Sequence, residues 1–365
     1  MIENIATTPP IFEYDEREYL NAEILKIAEP FFNINFHTDS QEDKVQWFYN
    51  LMYVAKNIDL GLAHSIQHNQ VAREHVISCS NQSLKNKVFN VPFWETIGST
   101  ADFKPSDTVT LSDGVLKGGK NWLTNLPVAD YVAMYANDGN GNQTKLVVDL
   151  NTINHSIDSE FPDTMGMGMA KPANLSITPS TIPDGCILGI NGWPDRSFVE
   201  ESFKHLSFLS SLNGITHALF DEVYKSAKMR NLHNDFSVIK AKLDVFSSMS
   251  NWLNMMRMIV DGDTTASEHW WVKKEYYYLF GKKTLISILD LSRNLCVQHH
   301  ILNDSPDSKV FRHAISFASH MRRFEHLQNP WGENTDKEVD LESFVDIHIN
   351  NFVNGINFPN TMTKF

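Results

Sequence analysis

Asp113-Gly-Val-Leu-Lys-Gly-Gly-Lys-Asn-Trp-Leu-Thr-Asn125 decides how the chain is read. Its opening Val115-Leu-Lys117 is one of several short β-forming runs between Phe93 and about Ile190, each bounded by turn residues. Asp107-Thr-Val-Thr-Leu111 precedes it; Tyr131-Val-Ala-Met-Tyr135 and Lys145-Leu-Val-Val-Asp149 follow. Asn137-Asp-Gly-Asn-Gly-Asn142, between the last two, is dense in residues that accept positive φ and predicts a hairpin. Leu175 and Ile177, with polar residues alternating, add a strand before Pro179 and Pro183.

The flanks are helical in texture. From Asp15 to Ala28 the apolar Tyr19, Ile24 and Ile27 recur among charged residues until Pro30 ends the pattern. A second helix starts at Ser40, whose hydroxyl can cap the first turn with Asp43 three positions on, and runs through Trp47, Phe48 and Met52. A third spans about Leu60 to Ile77. Beyond about Phe198 helical periodicity returns. Phe236, Ile239, Leu243, Phe246, Met249, Leu253 and Met256 form a seam for packing against other helices, and Leu285, Ile288, Leu291 and Leu295 continue it. Asn329 to Asp340 reads as a loop before a short terminal helix. The prediction is an α+β multidomain chain: an N-terminal helical domain over 1–89, a middle antiparallel β domain over 90–197 and a C-terminal helical bundle over 198–365.

Composition agrees and excludes some classes. The chain has 365 residues, net charge −13 and 17 glycines, fewer than folds built on Gly-rich nucleotide loops require. The excess of acidic residues removes the basic surface that a phosphate backbone needs, so nucleic acid is not the expected partner. Cys79, Cys186 and Cys296 form no CxxC pair, which fits a reduced cytoplasm without disulfides or thiolate zinc. No apolar segment approaches a membrane span. His64 and His68 lie one turn apart, but no Glu follows His64 as in HExxH and no third ligand is evident, so no metal is expected.

Gly98-Ser99, Asp113-Gly114, the run Lys120-Asn-Trp122-Leu-Thr124-Asn125 and Ala129-Asp130 arrive in an order that resembles the acyl-CoA dehydrogenase superfamily. The β domain of that family carries a Gly-Ser pair and a DG…L.G.K.W.TN…AD block beside a flavin. Met165-Gly-Met-Gly168 through Leu188-Gly189 resembles the stretch closing that domain, and Asp235-Phe-Ser-Val-Ile-Lys-Ala-Lys-Leu243 a bundle helix, with Ser237 where Gln is usual. The resemblance implies a flavin, FAD or FMN. Trp122 would pack on the ring, Thr124 would donate to its edge, and Gly98 and Ser99 would allow close approach and offer N–H and hydroxyl groups. Trp122 reads alternatively as a sheet-core aromatic, and Thr124 as an ordinary β-former. Lys228-Met-Arg230-Asn-Leu-His-Asn234 lacks the family's Phe-Gly step, and Gln298-His299-His300 lacks its Gly-rich turn. Both departures favour FMN, or no flavin, over an adenine dinucleotide.

Near the C-terminus the position of the family's usual glutamate base falls on Met321, and Glu325 is four residues beyond. The flavin-dependent monooxygenases of the same superfamily, which oxygenate aromatic or sulfur compounds, instead place a histidine at the spacing from Arg312 to His320. A histidine there can exchange a proton with oxygenated flavin or a phenolic substrate near neutral pH, which makes His320 the catalytic candidate. It reads alternatively as a helix histidine bonded to a neighbouring carbonyl. Three readings follow. The first is a flavin-dependent oxidoreductase of monooxygenase type acting on a small molecule and supplied by a separate flavin reductase. The second is an FAD-containing acyl-CoA dehydrogenase, and the third a non-catalytic scaffold acting as an interaction subunit. The resemblance further implies a homodimer or homotetramer formed through the bundle.

Overall fold

The computed structural model describes residues 34, 36, 39–93, 95–101, 106–138, 143–158, 170–189, 198–260, 268–295 and 306–322. At 198–202, 268–275, 293–294, 306–309 and 319–322 only the backbone is described. The described residues up to position 321 form one compact unit. The Asp15–Ala28 helix, Met165–Gly168, Gln298–His300, Glu325 and the 329–340 loop lie outside the described residues.

Helix α1 is Gln41–Asn57; the Ser40 hydroxyl accepts from the Asp43 N–H and donates to the Asp43 carboxylate, as the sequence predicts. It buries Trp47 and Phe48 against Phe36 and Phe203 in a cluster of edge-on and tilted rings with centroids 4.4–5.7 Å apart. Such ring pairs contribute about 0.5–1.5 kcal/mol each beyond their burial. Helix α2 is Leu60–Ser78, capped by the Asp59 carboxylate on the Leu62 N–H, and α3 is Gln82–Phe89, capped by Asn81.

The strands are β1 Gly98–Thr100, β2 Thr110–Ser112, β3 Val115–Leu123, β4 Tyr131–Asn137, β5 Gln143–Asp149, β6 His155–Asp158, β7 Ala173–Thr181 and β8 Ile187–Gly189. They form one sheet in the order β6-β7-β3-β2-β4-β5-β8, with β1 also on β4. The β4–β5 ladder runs from Tyr131↔Asp149 to Asn137↔Gln143, so the two strands are consecutive and antiparallel across the predicted turn. The sheet is largely antiparallel, but β1 and β2 pair with β4 in parallel. That direction needs a long connection, and β2 and β3 themselves supply it for β1.

Alternation along β4 and β5 separates two cores. Val132, Met134, Ala136, Leu146 and Val148 pack within the sheet's own core, whereas Tyr131, Ala133 and Val147 pack against Ala72 and Val76 of α2 and Leu84 and Val88 of α3. Both faces are covered, which is why β4 reads as an almost unbroken apolar run.

The bundle comprises α4 Phe198–Met229, α5 Phe236–Val260, α6 Glu268–Asn294 and α7 Pro306–Arg322. Leu285 and Ile288 are fully buried in α6, and Leu295 follows it inside the core. Helix α5 departs from the expected packing. Its inward face is Val238, Ala241, Val245, Ser248, Trp252, Met255, Met256 and Ile259. There the Trp252 indole N–H donates to Ser210 Oγ at 2.8 Å and the Ser248 hydroxyl to Asn213 Oδ1 at 2.9 Å. Of the predicted seam, Met256 is buried, while Phe236, Ile239, Leu243, Phe246 and Leu253 are exposed. The helix carries two apolar stripes, and periodicity alone does not say which one faces the chain's own neighbours.

Candidate functional site

The site begins where β1 and the end of β3 meet α2. Gly98 pairs with Tyr131 and Ser99 with Val132 in parallel register, and Thr100 bridges Thr124 in antiparallel register. The Ser99 hydroxyl, fully buried, donates to the Thr124 carbonyl oxygen at 2.6 Å. Thr124 is 6% exposed, and its own hydroxyl has no hydrogen-bond partner among the described residues.

Asn125 holds this corner together. It sits at φ +68°, a conformation Asn tolerates better than most residues. Its amide oxygen accepts from the Ser65 hydroxyl at 2.6 Å, and its amide nitrogen donates to the carbonyls of Ser65 and Gly98. Asn69, one turn beyond Ser65 on α2, accepts from the Gly98 N–H at 2.8 Å and donates to the Phe93 carbonyl. Both polar groups of the Gly98 backbone are therefore used inside the fold. A Cβ at Gly98 would lie 2.4 Å from Ala72 Cβ and 2.6 Å from the Tyr131 hydroxyl oxygen, so close packing by itself requires this glycine. The hydrogen atom of Ser99 Oγ is likewise occupied. Of the four residues assigned to a flavin, Gly98 and Ser99 shape the corner.

Trp122 is half-buried and has φ +60°, a rare conformation for so bulky a residue. The β3–β7 register shifts between Lys120 and Leu123, and the Trp122 N–H donates to the Asn174 side-chain oxygen at 3.1 Å. A bulge of this kind breaks the in–out alternation of the strand and re-aims the side chain it carries. Below it, Lys120 and Asp107 form an ion pair at 2.6 Å with both side chains fully buried, and the second Asp107 oxygen accepts from the Asn121 N–H. The pair fixes the strand just ahead of the bulge.

By spacing alone His64 and His68 read only as metal ligands; the surface they belong to is visible only in the fold. No face of α2 is polar and solvent-exposed. His64, Gln67, Glu74 and His75 are all buried along one arc, next to the arc of Ser65 and Asn69 that meets the strands. The His64 and His68 rings lie 4.3 Å apart, and Phe208 of α4 meets His64 at 5.7 Å and His68 at 6.4 Å. Phe317 of α7 meets Phe208 at 6.3 Å. One turn earlier on α7, His313 Nε2 lies 3.7 Å from Asp59 Oδ2 at the start of α2. Gln67 is fully buried, and neither its amide oxygen nor its nitrogen has a hydrogen-bond partner among the described residues; the Ser211 hydroxyl of α4 is in the same state. A readable signal existed in the polar residues that share one side of α2, His64, Gln67 and His68 and, two turns on, Glu74 and His75, in a helix without an exposed face. His320 lies in the last turn of α7, where only the backbone is described. Among the described residues no group of three or more metal-ligating side chains occurs.

Helices before and after one largely antiparallel sheet, with this corner between them, match solved structures closely. A glutaryl-CoA dehydrogenase in complex with glutaryl-CoA superposes with TM-score 0.67 at 14% identity, over 83% of this chain and 86% of that one. The chain has the acyl-CoA dehydrogenase fold. The glutaryl-CoA dehydrogenase of Mycobacterium smegmatis shares it at TM-score 0.66 and 16% identity, over 85% and 83% of the two chains. So does the dibenzothiophene monooxygenase TdsC of Paenibacillus sp. A11-2, in complex with FMN and indole, at TM-score 0.66 and 11% identity over 93% and 91%. The acyl-CoA dehydrogenase fold thus serves both a dehydrogenase and a monooxygenase among these neighbours. No family model and no curated protein matches the sequence.

Proposed function

We propose that this chain is a flavin-dependent oxidoreductase of monooxygenase type that binds reduced FMN or FAD from a separate reductase and acts on a small molecule. The observation that carries this reading is the fully buried amide of Gln67, without a hydrogen-bond partner among the described residues, one turn from His64 and beside the arc of α2 that meets the strands. Burying an unpaired polar group costs about 1–3 kcal/mol, and a bound molecule offers both a donor and an acceptor to offset it. The histidines next to Gln67 can hold or move a proton near neutral pH, a capability suited to oxygenation.

The residues present fit a flavin in part. Trp122, re-aimed by its bulge, and Thr124, whose hydroxyl has no partner among the described residues, would hold the ring; Gly98 and Ser99 would act through the position they give Thr124. Bound flavin would supply the redox chemistry. His64, His68 and His320 would handle protons, and Phe208 and Phe317 would exclude water from the histidine pair. The protein would work as a homo-oligomer in the cytoplasm; the buried free thiols Cys79 and Cys186 suit a reducing compartment, and no helix of the described residues is long and apolar enough to cross a membrane.

Anaerobic titration with reduced FMN and with reduced FAD tests the reading. Saturable micromolar binding, and slower reoxidation of bound than of free flavin once oxygen is admitted, are the expected results. Purification with yellow FAD that acyl-CoA thioesters bleach would replace it by the dehydrogenase reading. A colourless protein that binds neither flavin would establish the scaffold reading, which the internal use of the Gly98 and Ser99 polar groups favours.

A further inference from the structure

Cys79 and Cys186 stand 107 positions apart in the sequence, and the fold brings both to one residue. Cys79 ends α2, and Cys186 immediately precedes β8. Asn81 touches the two sulfurs: the Cys79 thiol donates to its backbone carbonyl at 3.8 Å, and its side-chain N–H donates to Cys186 Sγ at 3.6 Å. The backbones beside them are in contact. The Ser80 N–H donates to the Gly185 carbonyl at 3.1 Å, and the Asn81 side chain to the Asp184 carbonyl at 3.3 Å. Gly185 has φ +80°, and a Cβ there would lie 2.7 Å from the Asn81 nitrogen, so this approach requires glycine. From this juxtaposition we infer that Cys79 and Cys186 form a reversible dithiol–disulfide pair, a modification site at which peroxide couples the α2–α3 junction to β8.

Two observations favour such a pair over inert core thiols. The first is depth. The cysteines are 2% and 1% exposed, yet Ser78, Ser80, Asp184 and Ile187 close beside them are exposed, so a small oxidant needs only a local opening. The second is charge. Burial pushes both thiols above their ordinary value; Lys85 opposes this at Cys79, whereas Cys79 itself, Asp149 and Asp184 add to it at Cys186. The resting pair is therefore protonated and reduced, as a transient disulfide in a reducing compartment must be, and Cys79 is the sulfur that charge favours as the nucleophile.

The step balances with hydrogen peroxide as oxidant. The Cys79 thiolate attacks one peroxide oxygen, the O–O bond breaks, and the departing hydroxide takes up a proton and leaves as water. Cys186 then attacks the sulfur of the resulting sulfenic acid, its own proton goes to the departing hydroxyl, and a second water leaves. Two thiols and one peroxide become one disulfide and two waters. The two weak sulfur contacts to Asn81 give way to an S–S bond, and the loop it closes holds α3 and every strand from β1 to β7.

The inference is independent of the flavin reading, and its test needs no activity. Full-length chain treated with hydrogen peroxide while folded, then unfolded in an alkylating reagent, should lose two of its three thiols. Peptide mapping should find Cys79 joined to Cys186 and Cys296 alkylated. The thermal midpoint should rise by roughly 5 °C and return on reduction with dithiothreitol. Oxidation should be faster at about pH 9 than at about pH 7, because the thiolate reacts. In Cys186→Ser, peroxide should leave at Cys79 a sulfenic acid that dimedone labels, whereas in Cys79→Ser position 186 should stay unlabelled. A treated wild type that keeps three free thiols, links Cys296 or carries sulfinic acids instead of a disulfide overturns the inference. A Cys79–Cys186 link that forms only after unfolding, or that leaves the thermal midpoint where it was, overturns it equally.

Discussion

The hydroxyl of Ser99 and the carbonyl of Thr124 are joined by a 2.6 Å hydrogen bond, which ties β1 to the end of β3 and makes two of the residues assigned to a cofactor one rigid piece. The two side chains should consequently respond differently to substitution. Ser99→Ala leaves a buried carbonyl without its donor and should cost about 1–3 kcal/mol, visible as a lower thermal midpoint as well as weaker flavin binding. Thr124→Val keeps the shape. It should leave the midpoint nearly unchanged while weakening reduced-flavin binding about tenfold, measured by fluorescence titration.

Gln67→Leu should separate ligand contact from stability in the opposite sense. The free protein loses a buried amide with no partner among the described residues and should be as stable as the wild type or more so. Turnover of bound reduced flavin with substrate should fall about tenfold or more. Equal activity in this variant would remove the residue on which the functional reading chiefly stands.

Asp107 and Lys120 permit a double-mutant cycle. Asp107→Ala strands a fully buried ammonium and should destabilise by about 3–5 kcal/mol in chemical denaturation. Adding Lys120→Met removes the stranded charge and should recover most of that loss.

Gly98→Ala should destabilise by about 1–3 kcal/mol even without any ligand, because the added methyl group meets Ala72 and Tyr131. A stability loss without flavin would identify packing as the reason for this glycine. Tyr131→Phe provides the companion measurement. The Tyr131 hydroxyl is buried without a hydrogen-bond partner among the described residues, and burial raises its pKa, so its removal should be neutral or stabilising.

His217 of α4 should leave a signature in the acid limb of stability. Burial pushes its pKa below the ordinary 6.5, Lys56 adds to the effect and Asp221 opposes it. The unfolded chain therefore takes up this proton at higher pH than the native one. The contribution of His217 is present above about pH 6.5 and is lost as pH falls through the lower native value. Thermal midpoints of His217→Gln should decline less than those of the wild type on acidification across that window.

Local chemistry made much of this fold legible. The Ser40 cap, the Asn-Gly-rich turn between β4 and β5 and the Gly-Ser and Trp-x-Thr-Asn block each announce a backbone conformation within a few residues, and the neighbouring elements follow. What stayed hidden depends on distant partners. Phe246 and Trp252 lie on different stripes of one helix, and only the neighbouring α4 decides that Trp252 turns inward to Ser210. His64 and His68 look like a ligand pair by spacing alone, and their setting of Phe208 and Phe317 comes from chain far along the sequence. Gly98 reads as a glycine that lets a flavin approach the backbone until Ala72 and Tyr131 are seen beside it.

Helix α2 is enclosed on every side. Ser65 and Asn69 tie it to the strands, Arg73 donates to the Val88 carbonyl of α3 and lies over the rings of Phe89 and Phe93, and His64 meets α4. Such a segment has no stable half-docked state, because its polar groups find their partners only when several distant parts of the chain have arrived together. Its amide protons should therefore exchange with solvent only through opening of the entire unit, and fragments split on either side of it should fail to assemble separately.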